Sequence, residues 1–236
     1  METTLDSILD IRLRQPRRGY RFSMDAVLLH AFVNLRRAGR ILDLGAGCGV
    51  VGLLLAGRYP AARVVLLELQ QGLFRLAEEN IALNGLEGRV EALQGDIRAL
   101  PGGMGLFDLA VSNPPFRKPL SGRLSEGEEK AVARHEMRLK LGELVAAAAS
   151  VLREKGRFCL VYHPLRLPEL MGELSAAGLE PKRALFVHGR KTAEARMVLV
   201  EAAKGGRPGL KVEPPIFVYE DGGGYTGEVR EIYGLA

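Results

Sequence analysis

The chain has 236 residues, 47% hydrophobic and 26% charged, so it carries enough apolar material for one substantial core and is not a disordered polymer. Its formal net charge of +5 and pI near 9.4 suit an anionic partner such as RNA or DNA, and equally an ordinary basic protein. Two cysteines, Cys48 and Cys159, exclude a disulfide or cysteine–metal framework and point to a reducing cytoplasm; the acidic first ten residues show no signal peptide, and no apolar run approaches a membrane span.

Residues 1–21 are polar and hold Arg12, Arg14, Arg17, Arg18 and Arg21, which reads either as a basic arm for RNA phosphates or as a solvated lead-in. Phe22-Ser23-Met24-Asp25 then precedes an apolar helix, Ala26 to Val33, with Ser23 or Asp25 as its N-cap. Arg40 to Leu44 is a short strand. It runs into Gly45-Ala46-Gly47-Cys48-Gly49-Val50-Val51-Gly52, whose glycines permit a tight turn and close approach of backbone to a ligand. A helix follows to about Gly57. Gly47, Gly49 and Gly52 match the spacing G-x-G-x-x-G, and the strand–loop–helix context turns that weak match into a nucleotide-type cofactor site.

Arg63 to Leu69 is the second strand. Glu68 stands near its carboxyl end, 19 residues beyond Gly49, where a carboxylate either accepts both hydroxyls of a ribose or is a simple surface acid. A helix from Gln71 to Asn84 is closed by Gly85. Val90 to Gln94 is the third strand, ended by Gly95-Asp96. Asp96 either accepts from an adenine amino group or caps a turn, and Ile97 beside it can lie on the ring. The fourth strand, Phe107 to Val111, ends in Ser112-Asn113-Pro114-Pro115-Phe116. Two prolines without N–H groups stop the strand and stiffen Asn113. The Asn113 amide and nearby carbonyls offer acceptors to a planar amine, and Phe116 offers a face for its ring; a plain proline-rich turn is the alternative reading.

Residues 117–137 are charged and lack a period, which predicts a flexible loop on the substrate side. Met137 to Leu152 is an Ala/Leu-rich helix, Arg157 to Tyr162 the fifth strand, and 166–177 a helix capped by Gly178. Strands follow at about 183–188 and 196–201, then a short apolar run, Ile216 to Tyr219, and a glycine-rich turn before Tyr225-Thr226-Gly227-Glu228.

Five strand–helix alternations followed by two closely spaced strands predict an α/β fold. It is a Rossmann-like, doubly wound, seven-stranded sheet, mostly parallel, with its last strand antiparallel. The expected organisation is a single domain: an N-terminal basic arm and lid helix (1–36), the Rossmann-like core (37–204) and a C-terminal extension (205–236). Asp43 with Gly45, Glu68, Asp96 and Asn113 all fall at carboxyl ends of strands, the edge where ligands bind in such sheets. NAD would also use a glycine loop and Glu68. Asp43, however, sits where a phosphate path has no need of a carboxylate, and Asp96 and Asn113 add polar groups for an adenine and an amino-acid moiety. An amino-acid-bearing nucleoside without phosphates, S-adenosylmethionine, fits better.

Asp-Leu-Gly-Ala-Gly-Cys-Gly at 43–49, Glu68, Gly95-Asp96 and Asn-Pro-Pro-Phe at 113–116 resemble the ordered motifs of class I methyltransferases with an amino-group target. Arg21 to Leu29, the basic segment after the prolines and the Tyr225-Thr226 tail are similar, more specifically, to the bacterial tRNA1(Val) (adenine-N6)-methyltransferase-like family. The resemblance spans nearly the whole chain. It implies that Asp43 and the backbone of Gly45, Ala46 and Gly47 hold the methionine end of the cofactor, with Glu68 on the ribose and Asp96 and Ile97 on the adenine. It implies a lid from Phe22 to Asp25, including Met24. Asn113 and the Pro114 carbonyl would accept the target amine and Phe116 would stack on its base, where many relatives have tyrosine. The function implied is N6-methylation of adenine in RNA, a tRNA above all, with no metal and no membrane. Glutamine N5-methylation of a protein uses a similar turn, although about 40 residues before the glycine loop leave little room for the extra domain such enzymes carry. A non-catalytic RNA-binding protein on the same fold and small-molecule O-methylation are further alternatives.

Overall fold

The computed structural model describes residues 2–17, 21, 23–114 and 139–235. Its centre is a sheet of β3 (Arg40–Leu44), β4 (Arg63–Glu68), β5 (Val90–Gln94), β6 (Phe107–Ser112), β7 (Leu152–Tyr162), β8 (Leu179–His188) and β9 (Ala195–Lys204). The spatial order is β8-β9-β7-β6-β3-β4-β5. All pairs are parallel except those of β9, which lies antiparallel between β7 and β8. The central strands are continuous apolar runs: Val64 to Leu67 of β4 and Leu109 to Val111 of β6 are fully buried, as strands covered on both faces require.

The connections explain the two covered faces. From β3 the chain moves outward through α2 (Val50–Arg58) to β4 and through α3 (Gln71–Leu83) to β5. It then returns to the other side of β3 as β6 and continues through α4 (Leu141–Val151) to β7. Right-handed crossovers in opposite directions put their helices on opposite faces. The order reverses between β3 and β6, and the crevice at their carboxyl ends is the ligand site of such a sheet. On one side α1 (Met24–Phe32) packs on α2; elsewhere α4 packs on α5 (Leu167–Ala176).

The structure departs from the sequence expectations in three places. First, the seven strands become nine, because β10 (Lys211–Val212) and β11 (Ile216–Phe217) add in parallel to the outer edge of β8. Second, the segment expected to be a basic arm or a solvated lead-in contains an antiparallel hairpin of β1 (Thr3–Ile8) and β2 (Ile11–Pro16). Ile11 and Leu13 are buried while Arg12 and Arg14 face out, so the arginines are the solvent side of a period-two strand. Third, β7 begins at Leu152, opposite Phe107, and bulges before Arg157 resumes pairing with Leu109; Lys155 takes φ +65° there. Ser23 occupies the N-cap position of α1 without a side-chain bond to the helix. A short α6 (Gly227–Ile232) closes the described chain, capped by Thr226, whose hydroxyl also donates to the Phe217 carbonyl at 2.7 Å.

Candidate active site

The glycine loop is shaped by backbone that only glycine adopts freely. Gly45, Gly47 and Gly49 have φ of +74°, +60° and +92°. The N–H groups of Gly45 and Ala46 both donate to the Leu67 carbonyl, at 2.9 and 3.0 Å, so the loop folds over the end of β4. Gly52, one turn into α2, lets the helix lie on the sheet; a Cβ there would collide with Leu66.

Asp43 lies beneath this loop, 2% exposed, and accepts from the Gly52 N–H at 2.9 Å. Burial raises its carboxyl to about 7; the Gly52 bond opposes that rise and the charge of Glu68 adds to it. Glu68, 5% exposed, braces the loop: one oxygen accepts from the Gly47 N–H at 2.9 Å and the other from the Gln70 N–H at 2.8 Å. Each oxygen retains a second lone pair. Ser112, passed over in the sequence reading, donates to the Leu44 carbonyl at 2.7 Å and ties the ends of β6 and β3 together.

The crevice is bounded by Gly45, Glu68, Asp96, Ile97, Ser112 and Pro114. Five of the sequence candidates, Gly45, Glu68, Asp96, Ile97 and Pro114, therefore meet, from the ends of β3 and β4, the turn after β5 and the end of β6. Asp96 is in part a turn acid. It accepts from the Arg98 N–H at 2.9 Å and from its guanidinium at 2.6 Å, which hold its carboxyl below the usual carboxylate range. Ile97 reaches across to the glycine loop, its Cδ1 3.7 Å from where a Gly45 side chain would begin. Asn113 is half-buried between Ser112 and Pro114. Pro114 and Leu139 also border a second hollow of about 300 Å3, walled by Tyr162, Arg166 and Glu169. Met24 packs against the core at the start of α1 and is not among the described residues that bound the crevice. Phe22, Pro115, Phe116 and the 117–137 segment lie outside the described residues.

The donor set favours one class of cofactor. Among the described residues bounding the crevice there is no lysine or arginine, while Glu68 and Asp96 supply carboxylates and Ile97 an apolar wall. Carboxylates accept from hydroxyls, an amine or an ammonium and oppose a pyrophosphate. With the buried Asp43 beside the loop, the residues fit an adenosine that carries an amino acid.

This fold and this crevice define a class I methyltransferase with S-adenosylmethionine as its cofactor. The chain belongs to the methyltransferase small domain family, whose profile it matches over residues 24–176. A curated relative, tRNA1(Val) (adenine(37)-N6)-methyltransferase of Porphyromonas gingivalis, is 35% identical over 72% of this chain and 69% of its own. Among solved structures, a predicted O-methyltransferase from Agrobacterium tumefaciens superposes with a TM-score of 0.72 at 25% identity, covering 90% of this chain and 96% of that one. The 16S rRNA N2 G1207 methyltransferase of Thermus thermophilus, in complex with AdoMet and guanosine, gives 0.59 at 24% identity over 86% of this chain and 50% of its own.

Proposed function

We propose that the protein methylates N6 of an adenine in RNA, and that the RNA is a tRNA, which would place its work in the cytoplasm. The observation that carries this is the position of Asn113-Pro114. The pair follows β6 at the switch point, with Pro114 bordering both the cofactor crevice and the second hollow. The name of the curated relative supports the tRNA adenine; it belongs to that protein.

Bound in the crevice, S-adenosylmethionine supplies an electrophilic methyl on a sulfonium. The chain's residues then do the following. Asp43 and the backbone of Gly45, Ala46 and Gly47 hold the amino-acid end. Glu68 accepts from the ribose and Asp96 from the adenine amino group, with Ile97 against the ring. An adenine amino nitrogen is a poor nucleophile because its lone pair is delocalised into the ring. The Asn113 side-chain oxygen and the Pro114 carbonyl accept its two hydrogens, which favours a pyramidal nitrogen with a localised pair. They bind the developing ammonium more tightly than the neutral amine, so they act on the transition state. Holding the amine in line supplies much of the remaining acceleration. The target base has to leave its stack, so a loop or an extruded nucleotide is the substrate form.

The test is transfer of labelled methyl to tRNA, ribosomal RNA and protein extract, followed by nucleoside analysis. The expected product is N6-methyladenosine in tRNA; label confined to protein would move the assignment to a glutamine amide. Asn113→Ala is expected to abolish transfer and leave cofactor affinity intact in calorimetry. Loss of both would make Asn113 a part of the cofactor site instead.

A further inference from the structure

The glycine loop is held from two directions, and only one of them belongs to the strand-end carboxylates. Glu68 takes the N–H of Gly47. On the far side of the same short stretch, the Asn80 side-chain NH2 donates to the Cys48 carbonyl at 2.9 Å. Asn80 lies in α3 and is 0% exposed. The same amide also pairs with the backbone of Arg14 in β2: its oxygen accepts the Arg14 N–H at 2.6 Å and its NH2 donates to the Arg14 carbonyl at 2.8 Å. One turn later Asn84 makes the same pair of bonds with Arg12, at 2.9 and 2.7 Å. Residues four apart on a helix share a face, so the two amides line up along the outer edge of β2 and stand in for a third strand of the hairpin.

The hairpin also fixes the path into α1. Arg21 donates to the Thr4 hydroxyl at 2.8 Å and the Pro16 carbonyl at 3.1 Å and pairs with Asp6 at 3.2 Å; Gln15 donates to the same Asp6 at 2.8 Å. The hairpin, the start of α1 and the glycine loop are thus joined, and Asn80 bonds to both the hairpin and the loop.

We infer that Asn80 is a positioning residue for the cofactor: it locks the Gly47–Cys48 turn in its binding geometry by tying it to the N-terminal hairpin. Asn84 is the internal control, since it makes the same hairpin bonds and none to the loop. Asn80→Leu keeps the branching of the side chain and removes all three bonds; Asn84→Leu removes the matching pair on Arg12 and the bond from its NH2 to the Asn80 carbonyl. Both are read in the full-length protein by calorimetric titration with S-adenosylmethionine and by hydrogen exchange at the loop amides. Asn80→Leu is expected to weaken cofactor binding about tenfold, the scale of one orphaned buried carbonyl, and to speed exchange of the Gly47 and Gly49 amides. Asn84→Leu is expected to lower the melting temperature and leave cofactor affinity as in the parent. Unchanged affinity in Asn80→Leu, or an equal loss in both variants, would overturn the inference and leave Asn80 as packing for the hairpin. Should Asn80→Leu not fold, Asn80→Ala serves, because it removes the same three bonds without adding methyl groups at a buried position. The readout needs no RNA, so it stands apart from the choice of methyl acceptor.

Discussion

Asp43 is a carboxyl whose folded state prefers the proton. Its pKa rises from the ordinary 3.8 to about 7, chiefly through burial. Between those values the folded chain keeps a proton that the unfolded chain has released. Stability therefore falls as pH rises through that window and the loss is complete above about 7. Asp43→Asn removes this cost while its side-chain oxygen can still accept from Gly52. Thermal melts of the ligand-free protein should show the variant more stable than the parent at pH 8 and not at pH 4. On the proposed assignment the same change weakens cofactor binding, because the ammonium loses its counter-charge. An ammonium beside Asp43 also draws the pKa down, so binding below pH 7 should release a proton. Calorimetry in buffers of different ionisation heat measures that proton directly, and an absence of buffer dependence would separate Asp43 from the amino-acid end.

At the scale of elements, the glycine loop tolerates a side chain poorly. Gly49→Ala must hold φ near +92° and bring its Cβ to 2.9 Å from Leu66 Cδ1. Left-handed backbone costs about 1–2 kcal/mol and overpacking about 1–3 kcal/mol, so a loss of about 2–5 kcal/mol in urea unfolding is expected. The loop was legible in the sequence because its glycines follow a strand and open a helix. Val90–Gln94 was legible because a helix stop at Gly85 and a turn at Gly95-Asp96 bracket it. The hairpin is not legible from the arginines, which suit an RNA-binding arm and a solvated lead-in equally, although Ile11-Arg12-Leu13-Arg14 carries the alternation of a half-buried strand. β10 and β11 are two residues each and exist only because β8 offers them an edge, which no local pattern announces. The site was legible as strand ends, since sheet topology brings those together. Asn80 was not, because its role depends on a hairpin 66 residues away that the reading did not contain.

For the whole molecule, the net charge of +5 bears on the proposed substrate. Each phosphate contact releases counterions, so RNA affinity should fall steeply with added salt. The crevice, lined by carboxylates and apolar groups, has no such dependence on phosphates. Filter binding of tRNA and calorimetry of the cofactor across a salt series should therefore diverge. If tRNA binding held steady over that series, the basic excess would have no part in recognition.

The antiparallel placement of β9 has a consequence for the order in which the molecule is made. β8 precedes β9 in the chain but lies outside it, so β8 has no route to the rest of the sheet until Ala195–Lys204 has emerged. On the ribosome the cofactor half, β3 to β6, can assemble while β7 still presents an unpaired edge of apolar residues. Such an edge invites pairing with another nascent chain. A chain stopped short of Ala195 would keep its glycine loop and Asn113, yet lack the strand that seals the sheet. Translation that stops before Ala195 should therefore yield aggregates and not a smaller enzyme.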